Sequence, residues 1–126
     1  MARQDFSGTA TVDSADDVVV TVKPSADIKG CVTFEVTNTD SDGSQALNQF
    51  DLQVQPHAQA GWHEVLADAE FDTAGEVAKW STGTLHTTAD GSTGAAGVFI
   101  PGVYAFRFVA GVAANDTEVT VQGSYI

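Results

Sequence analysis

The stretch Cys31-Val32-Thr33-Phe34-Glu35-Val36-Thr37-Asn38 decides the fold class predicted for this chain. After the cysteine, apolar residues occupy every second position and polar residues occupy the positions between them, which is typical of a half-buried β-strand. A second stretch, residues 50–55, repeats the alternation, and the turn residues 40–43 lie between the two. Together they predict an antiparallel strand–turn–strand unit.

Alternating stretches elsewhere raise the expected number of short strands to about seven to nine. Residues 6–12 predict a first strand at a sheet edge, and residues 17–23 predict a strand that turns Val18, Val20 and Val22 inward. Further strands are expected over residues 62–66, 103–109 and 117–125.

Helical periodicity is almost absent, so the sequence predicts an all-β, antiparallel β-sandwich. An immunoglobulin-like sandwich is the first expectation and a jelly roll is the alternative. The single cysteine excludes an internal disulfide and the Cys–Trp–Cys framework of antibody domains. Both faces of the strand over residues 103–109 are largely apolar, so we expect it to be central and covered on both sides, or to pack against another subunit.

The chain has 126 residues, which fits one domain over residues 1–126. We expect a short N-terminal arm over residues 1–5. Residues 80–97 are rich in Thr, Gly, Ser and Ala, and we expect them to form a long surface loop.

The net charge of −12, from 17 acidic and 5 basic residues, argues against nucleic acid and anionic membranes as partners. The acidic residues are scattered singly, which favours a role in solubility over one that meets a basic surface on a partner. No apolar stretch approaches the roughly 20 residues that span a bilayer, and no secretory leader is recognisable. We therefore expect a soluble protein made in the cytoplasm.

A metal site has one candidate, the spacing Asn38-x-Asp40-x-Asp42-Gly43, which matches the first half of a calcium loop. The twelfth position is Gln49 instead of a bidentate Glu, and no helices flank the stretch. Asp and Gly are ordinary turn residues, so a plain hairpin loop is favoured over calcium binding at these residues.

No residue set predicts catalysis. The three histidines lack the spacing of a zinc pair, and Ser-elbow, phosphate-loop and dinucleotide motifs are absent. Cys31 is best interpreted as a structural thiol. We therefore expect no enzymatic activity and no cofactor.

Four aromatic residues are candidates for contact with a partner or a glycan: Phe6, Trp62, Trp80 and Tyr104. Phe6 directly follows the expected N-terminal arm, which can drape onto a neighbouring subunit. The other three can form a platform for sugar rings. A core position for Trp62 and a loop-plugging position for Trp80 are favoured over that platform.

Residues 31–54, with Val-Thr-Phe-Glu-Val-Thr-Asn-Thr and Ala-Leu-Asn-Gln-Phe-Asp-Leu-Gln-Val, resemble immunoglobulin-like sandwich modules. With residues 101–108 and 117–124 they look like small β-sandwich proteins encoded in the structural gene blocks of tailed bacteriophages. The resemblance covers about two-thirds of the chain and carries over no functional residue.

That resemblance implies a capsid decoration (cement) protein or a head–tail or tail accessory protein. Such a protein is made in the host cytoplasm and resides in the virion. Its expected partners are major capsid or tail subunits and further copies of itself, a homo-oligomer such as a trimer. The alternative function is a carbohydrate- or cell-surface-binding β-sandwich module.

Overall fold

The computed structural model describes residues 3–24, 31–39, 47, 49–66, 78–79, 92–99, 103–112 and 116–126. All regular structure in these ranges is β-strand, and none of their residues form a helix suited to crossing a membrane. The strands are β1 (Gln4–Val12), β2 (Asp17–Val22), β3 (Cys31–Thr39), β4 (Gln49–Gln55), β5 (His63–Leu66), β6 (Ala78–Lys79), β7 (Ser92–Phe99), β8 (Ala105–Gly111) and β9 (Thr117–Tyr125).

The strands form two antiparallel sheets that pack face to face, which confirms the all-β sandwich. One sheet has five strands in the order β1-β9-β3-β7-β6, and the other has four in the order β2-β8-β4-β5. With the two-residue β6 set aside, each sheet has four strands, and the chain crosses from one sheet to the other after most strands.

This strand order is that of a jelly roll, the alternative expectation, and not of an immunoglobulin-like sandwich. In an immunoglobulin-like sandwich the first two strands are neighbours in one sheet, whereas β1 and β2 here belong to different sheets. The reason for the difference is that side-chain alternation specifies which face of a strand is buried, but it does not specify which strands become neighbours.

The hydrophobic core lies between the sheets, with Phe108 near its centre. The Phe108 ring lies 4.7 Å from the Phe34 ring and 5.9 Å from the Phe50 ring, measured between centroids, so aromatic contacts join β8, β3 and β4. Val32 and Val36 are buried beside Phe34, as the alternation in β3 predicts. The remaining buried members of the core are Val12, Val19, Leu47, Leu52, Phe106, Ala110, Val112, Val119 and Val121.

The prediction for β2 is wrong at Val18. Val18 is 42% exposed, whereas its neighbour Val19 is buried in the core. The register against β8 shifts between Val18 and Val20, so Val19 is an extra residue in a β-bulge. The bulge reverses the side-chain parity, and it therefore restores Val20 and Val22 to positions where they pack against the core.

The predicted N-terminal arm and long loop are also corrected. β1 already begins at Gln4, which pairs with Tyr125 on β9. Residues 92–97 of the expected loop belong to β7 and pair with β3 from Thr33 to Asn38. Small residues such as Ala and Gly carry little strand propensity, so this strand depends on its neighbour's ladder and is not visible in the composition.

Gly123 on β9 makes room for the ring of Phe6. A Cβ at this position would collide with the backbone oxygen of Thr33 and would lie 2.7 Å from the tip of the Phe6 ring. Phe6 in turn stacks on Phe108 at 5.8 Å and meets Phe106 edge-on at 5.4 Å. Phe6 thus packs inward and is not an exposed anchor on a free arm.

Candidate functional site

On β1, β9 and β3 of the five-stranded sheet, the outward side carries mostly short hydroxyl side chains. The side chains of β1, β9 and β3 that point away from the core alternate regularly with the buried ones. We define the hydroxyl face as Ser7, Thr9, Thr11, Thr33, Glu35, Thr37, Glu118, Thr120, Gln122 and Ser124.

Hydroxyl pairs bridge neighbouring strands on this face. Thr9 and Thr120 are cross-strand partners, and their Oγ1 atoms lie 2.9 Å apart. Thr33 Oγ1 lies 3.2 Å from Ser124 Oγ across the β3–β9 pair. Such cross-strand contacts between Thr and Ser stabilise a sheet and fix the rotamers of the side chains involved.

The charges on the hydroxyl face are negative. Glu35 and Glu118 are exposed members of the face, and the residues that define it include no Lys or Arg. Asp5 lies at its corner, where its Oδ1 is 3.4 Å from Arg3 Nε. An exposed ion pair of this kind contributes little to stability.

The outward side of the four-stranded sheet is chemically different. Cross-strand register places Thr21, Arg107, Gln53 and Glu64 in one row over β2, β8, β4 and β5. A hydroxyl, a guanidinium, an amide and a carboxylate thus follow one another at the strand spacing of about 4.8 Å.

Arg107 is held by Gln53, its neighbour in this row, and by Trp62, which precedes β5. Its Nε donates a hydrogen bond of 2.8 Å to Gln53 Oε1, and its Cζ lies 4.2 Å from the centroid of the Trp62 ring. We call Arg107, Gln53 and Trp62 the guanidinium cluster. The stacking and the hydrogen bond together fix the plane of the guanidinium.

Two effects on the pKa of Arg107 oppose each other. Partial burial lowers the pKa of Arg107 below its ordinary value, and the negative charge of Asp16 works in the opposite direction. Arg107 remains a cation at neutral pH, and no ion pair joins it to another described residue.

A second polar group lies on the same side of this sheet, around Gln49. Gln49 Nε2 donates to Asp16 Oδ1 at 2.7 Å and to Asp51 Oδ2 at 2.9 Å, while its Oε1 accepts from the Asp16 backbone N–H at 2.9 Å. Asp16 adopts a left-handed conformation with φ of 60° in the turn between β1 and β2, a conformation that Asp tolerates. We call Asp16, Gln49 and Asp51 the Gln49 network.

Sequence reasoning missed this network, because the alternation in β4 predicts that Asp51 points to solvent. Asp51 is only 2% exposed. A buried carboxylate requires hydrogen-bond partners, and Gln49 supplies one of them. One signal in the sequence could have indicated the burial of Asp51, namely the two apolar faces of β8. Val109, on the outward face of β8, is the cross-strand partner of Asp51 and is buried as well.

The structure does not bring the predicted aromatic residues together. Phe6 packs toward the core, whereas Trp62 precedes β5 on the outward side of the opposite sheet. Trp62 is half-buried under Arg107 and is not a member of the core, which corrects the favoured interpretation. Tyr104 is 41% exposed, with Lys23 Nζ 5.6 Å from its ring centroid. Trp80 lies outside the described residues.

The calcium candidates lie mostly outside the described residues. Asn38 belongs to β3, while Asp40 and Asp42 are not described. Within the described ranges, no three His, Cys, Asp or Glu side chains come together as metal ligands would. His57 and His63 are exposed, and Cys31 begins β3 opposite Phe99.

A shallow depression of about 370 Å³ lies at the edge formed by β1 and β9. It is lined by Asp5, Phe6, Ser7, Gln122 and Gly123. Its lining contains no buried charged group that would fix the orientation of a ligand.

No protein-family model and no curated protein matches the chain. Among solved structures, the crystal structure of Yersinia pseudotuberculosis-derived mitogen (YPM) is similar, with a TM-score of 0.53. The match covers 97% of this chain and 86% of that chain at 8% sequence identity. At that identity the likeness shows a shared fold and does not extend to function.

Proposed function

We propose that this chain is a non-enzymatic structural protein of a bacteriophage particle, a capsid decoration or head–tail accessory protein. It acts through protein–protein contacts with major capsid or tail subunits. The resemblance of residues 31–54, 101–108 and 117–124 to phage β-sandwich proteins supports this role. Jelly rolls occur in viral capsid proteins and in lectins, so the fold is compatible with the proposal by analogy.

The hydroxyl face is the single feature that best supports docking. It extends over three neighbouring strands, β1, β9 and β3, and presents polar side chains on each. Thr and Ser have few rotamers, and the hydrogen-bonded pairs Thr9–Thr120 and Thr33–Ser124 already hold theirs. Covering such a surface therefore costs little side-chain entropy.

The charge of the hydroxyl face indicates the chemistry of its partner. Glu35 and Glu118 project from it without basic neighbours among the residues that define it. A basic or neutral surface of a capsid subunit is complementary to these carboxylates. Two copies of this face would bring like charges together, so the expected homo-oligomer uses another surface.

Mass spectrometry of purified particles tests the virion role directly. We expect the chain in the particle, with a high copy number for a decoration protein and about a dozen copies or fewer for a neck or tail accessory. Absence of the chain from purified particles would reject the proposal.

Sedimentation of the purified protein with shells that lack it tests the docking face. We expect Glu35→Lys to weaken binding by about tenfold, since one well-placed charge contact is worth about 1.4 kcal/mol or more. Glu64→Lys is the matched control, because it reverses an exposed charge on the opposite sheet. Binding should also weaken as the ionic strength rises from about 0.1 M to about 1 M. Equal effects of the two variants would show that docking does not use the hydroxyl face.

A further inference from the structure

The strongest unexplained feature outside the hydroxyl face is Arg107, a partly buried cation in a chain of net charge −12. Its Nε donates to Gln53, but its two Nη groups have no hydrogen-bond partner among the described residues. Asp16 acts on it only through space, since no hydrogen bond or ion pair joins these two described side chains, and Asp16 Oδ1 accepts instead from Gln49 Nε2 at 2.7 Å. Among the described residues, nothing therefore occupies the terminal edge of the guanidinium.

The unoccupied edge of the guanidinium has a geometry that suits a carboxylate. Trp62 covers one face of the guanidinium, and Gln53 occupies its Nε side. What remains is the pair of Nη groups, whose parallel N–H bonds match the two oxygens of a carboxylate. A side chain fixed in this way loses little further freedom when it binds.

The neighbours of Arg107 indicate what carries the carboxylate. Thr21 offers a hydroxyl, Gln53 an amide Nε2 with no other partner among the described residues, and Glu64 an exposed carboxylate, all in the same cross-strand row. These groups donate to and accept from the hydroxyls of a sugar ring. The net charge of −12 repels a polyanion much more strongly than a single carboxylate on a neutral polyhydroxyl body.

We propose that Arg107, Gln53 and Trp62, with Thr21 and Glu64 beside them, bind a uronate-type acidic sugar through its carboxylate. The inference rests on the outward side of the four-stranded sheet and does not depend on the virion role, which was assigned to the opposite sheet. It differs from a stacking platform, because Arg107 covers a face of the Trp62 ring that a neutral sugar would use.

Proton–nitrogen NMR of the full chain, titrated with glucuronate, tests the proposal. The indole N–H of Trp62, assigned with Trp62→Phe, should shift in a saturable manner. Glucose, the neutral counterpart, should produce no saturable shift at the same concentrations. Saturation by glucose at the same affinity, or no saturable shift with glucuronate, would overturn the proposal.

Two further ligands distinguish a sugar carboxylate from the carboxylate of a small acid or of a peptide. Acetate and a short blocked peptide with one Glu should bind at least about tenfold more weakly than glucuronate, because neither reaches Thr21 and Gln53 with hydroxyl groups. If either binds as tightly as glucuronate, the sugar assignment is wrong. The peptide result would then favour a protein partner.

Variants at position 107 test the guanidinium. Arg107→Lys keeps the charge and loses the planar fork, whereas Arg107→Gln loses both, and each should weaken glucuronate binding by about tenfold or more. Lys23→Gln removes one positive charge elsewhere on the surface and should leave the affinity unchanged. An unchanged dispersion of the NMR spectrum verifies the fold of each variant, and equal affinity in wild type and Arg107→Lys would reject the bidentate contact.

Discussion

The two sheets present outward faces that are built on different principles. On the five-stranded sheet, the hydroxyl face follows strict alternation, and its side chains contact mainly their cross-strand partners. On the four-stranded sheet, the Gln49 network and the guanidinium cluster connect residues from β4, β8, the turn before β2 and the segment before β5. One outward residue there, Asp51, is as inaccessible as the core.

The difference shows that pointing outward and being exposed are separate properties. In a regular ladder the pleat determines which side chains point outward, and this follows directly from the sequence; the bulge in β2 is an exception. Whether such a side chain is also exposed depends on what lies over the strand, which is determined by tertiary structure. We therefore expect substitutions on the two faces to differ in their energetic consequences.

The largest expected effect on stability comes from replacing a glycine in each sheet, Gly123 on β9 and Gly111 on β8. Gly123→Ala would place a methyl group against the Thr33 backbone oxygen and the Phe6 ring, and it should lower the free energy of unfolding by about 3 kcal/mol. Gly111→Ala meets mainly the flexible end of the Gln49 side chain and should cost less. Gly61→Ala, with open space around the added carbon, is the control. Equal urea midpoints for all three would contradict the packing described around β9.

The second effect compares two outward carboxylates. Asp51→Ala removes an acceptor of the Gln49 amide at a buried site and should cost about 2 kcal/mol. Glu35→Ala on the hydroxyl face should change stability by less than about 0.5 kcal/mol. Chemical denaturation of both variants measures the difference, and Asp51→Asn separates the loss of charge from the loss of the hydrogen bond. If Asp51→Ala left the free energy of unfolding unchanged, this would contradict the distinction between the two faces.

A smaller effect tests the bulge in β2. Val19→Thr introduces a hydroxyl into the core and should cost about 1 kcal/mol more than Val18→Thr at the exposed neighbouring position. Thermal unfolding followed by circular dichroism is sufficient to rank the two. The opposite ranking would indicate that Val18 points inward, as alternation alone predicts.

The smallest effect is a pH dependence at the turn between β1 and β2. Hydrogen bonds from the backbone N–H groups of Asp13 and Ser14 lower the pKa of Asp17 below its ordinary value of 3.8. The carboxylate therefore stabilises the folded state above about pH 4, and this contribution is lost as the pH falls through the folded-state pKa. The stability difference between wild type and Asp17→Ala should shrink at low pH. Asp116→Ala serves as the control, and a carboxyl NMR titration of Asp17 measures the pKa itself.

Sequence patterning anticipated the buried side of the fold well. Alternation in β3 and β9 correctly placed Phe34, Val36, Val119 and Val121 in the core. The two apolar faces of β8 correctly indicated a central strand, which lies between β2 and β4 with both faces covered. These are local signals, because each follows from the period of the strand itself.

Connectivity and the candidate sites could not be derived in the same way. The jelly-roll order depends on long-range pairing, and β7 is a strand because β3 supplies its ladder. Arg107 and Trp62 are far apart in sequence and meet only because β5, β4 and β8 are adjacent.

The pairing of β1 with β9 has a consequence for how the protein is synthesised. β1 is synthesised before the other described strands and its partner β9 after them, with Gln4 opposite Tyr125 and Val12 opposite Thr117. The five-stranded sheet therefore cannot be completed until β9 has been synthesised, and folding on the timescale of milliseconds to seconds is expected for such distant contacts. A nascent chain arrested before Thr117 should remain sensitive to proteases and prone to aggregate, whereas the released chain should not.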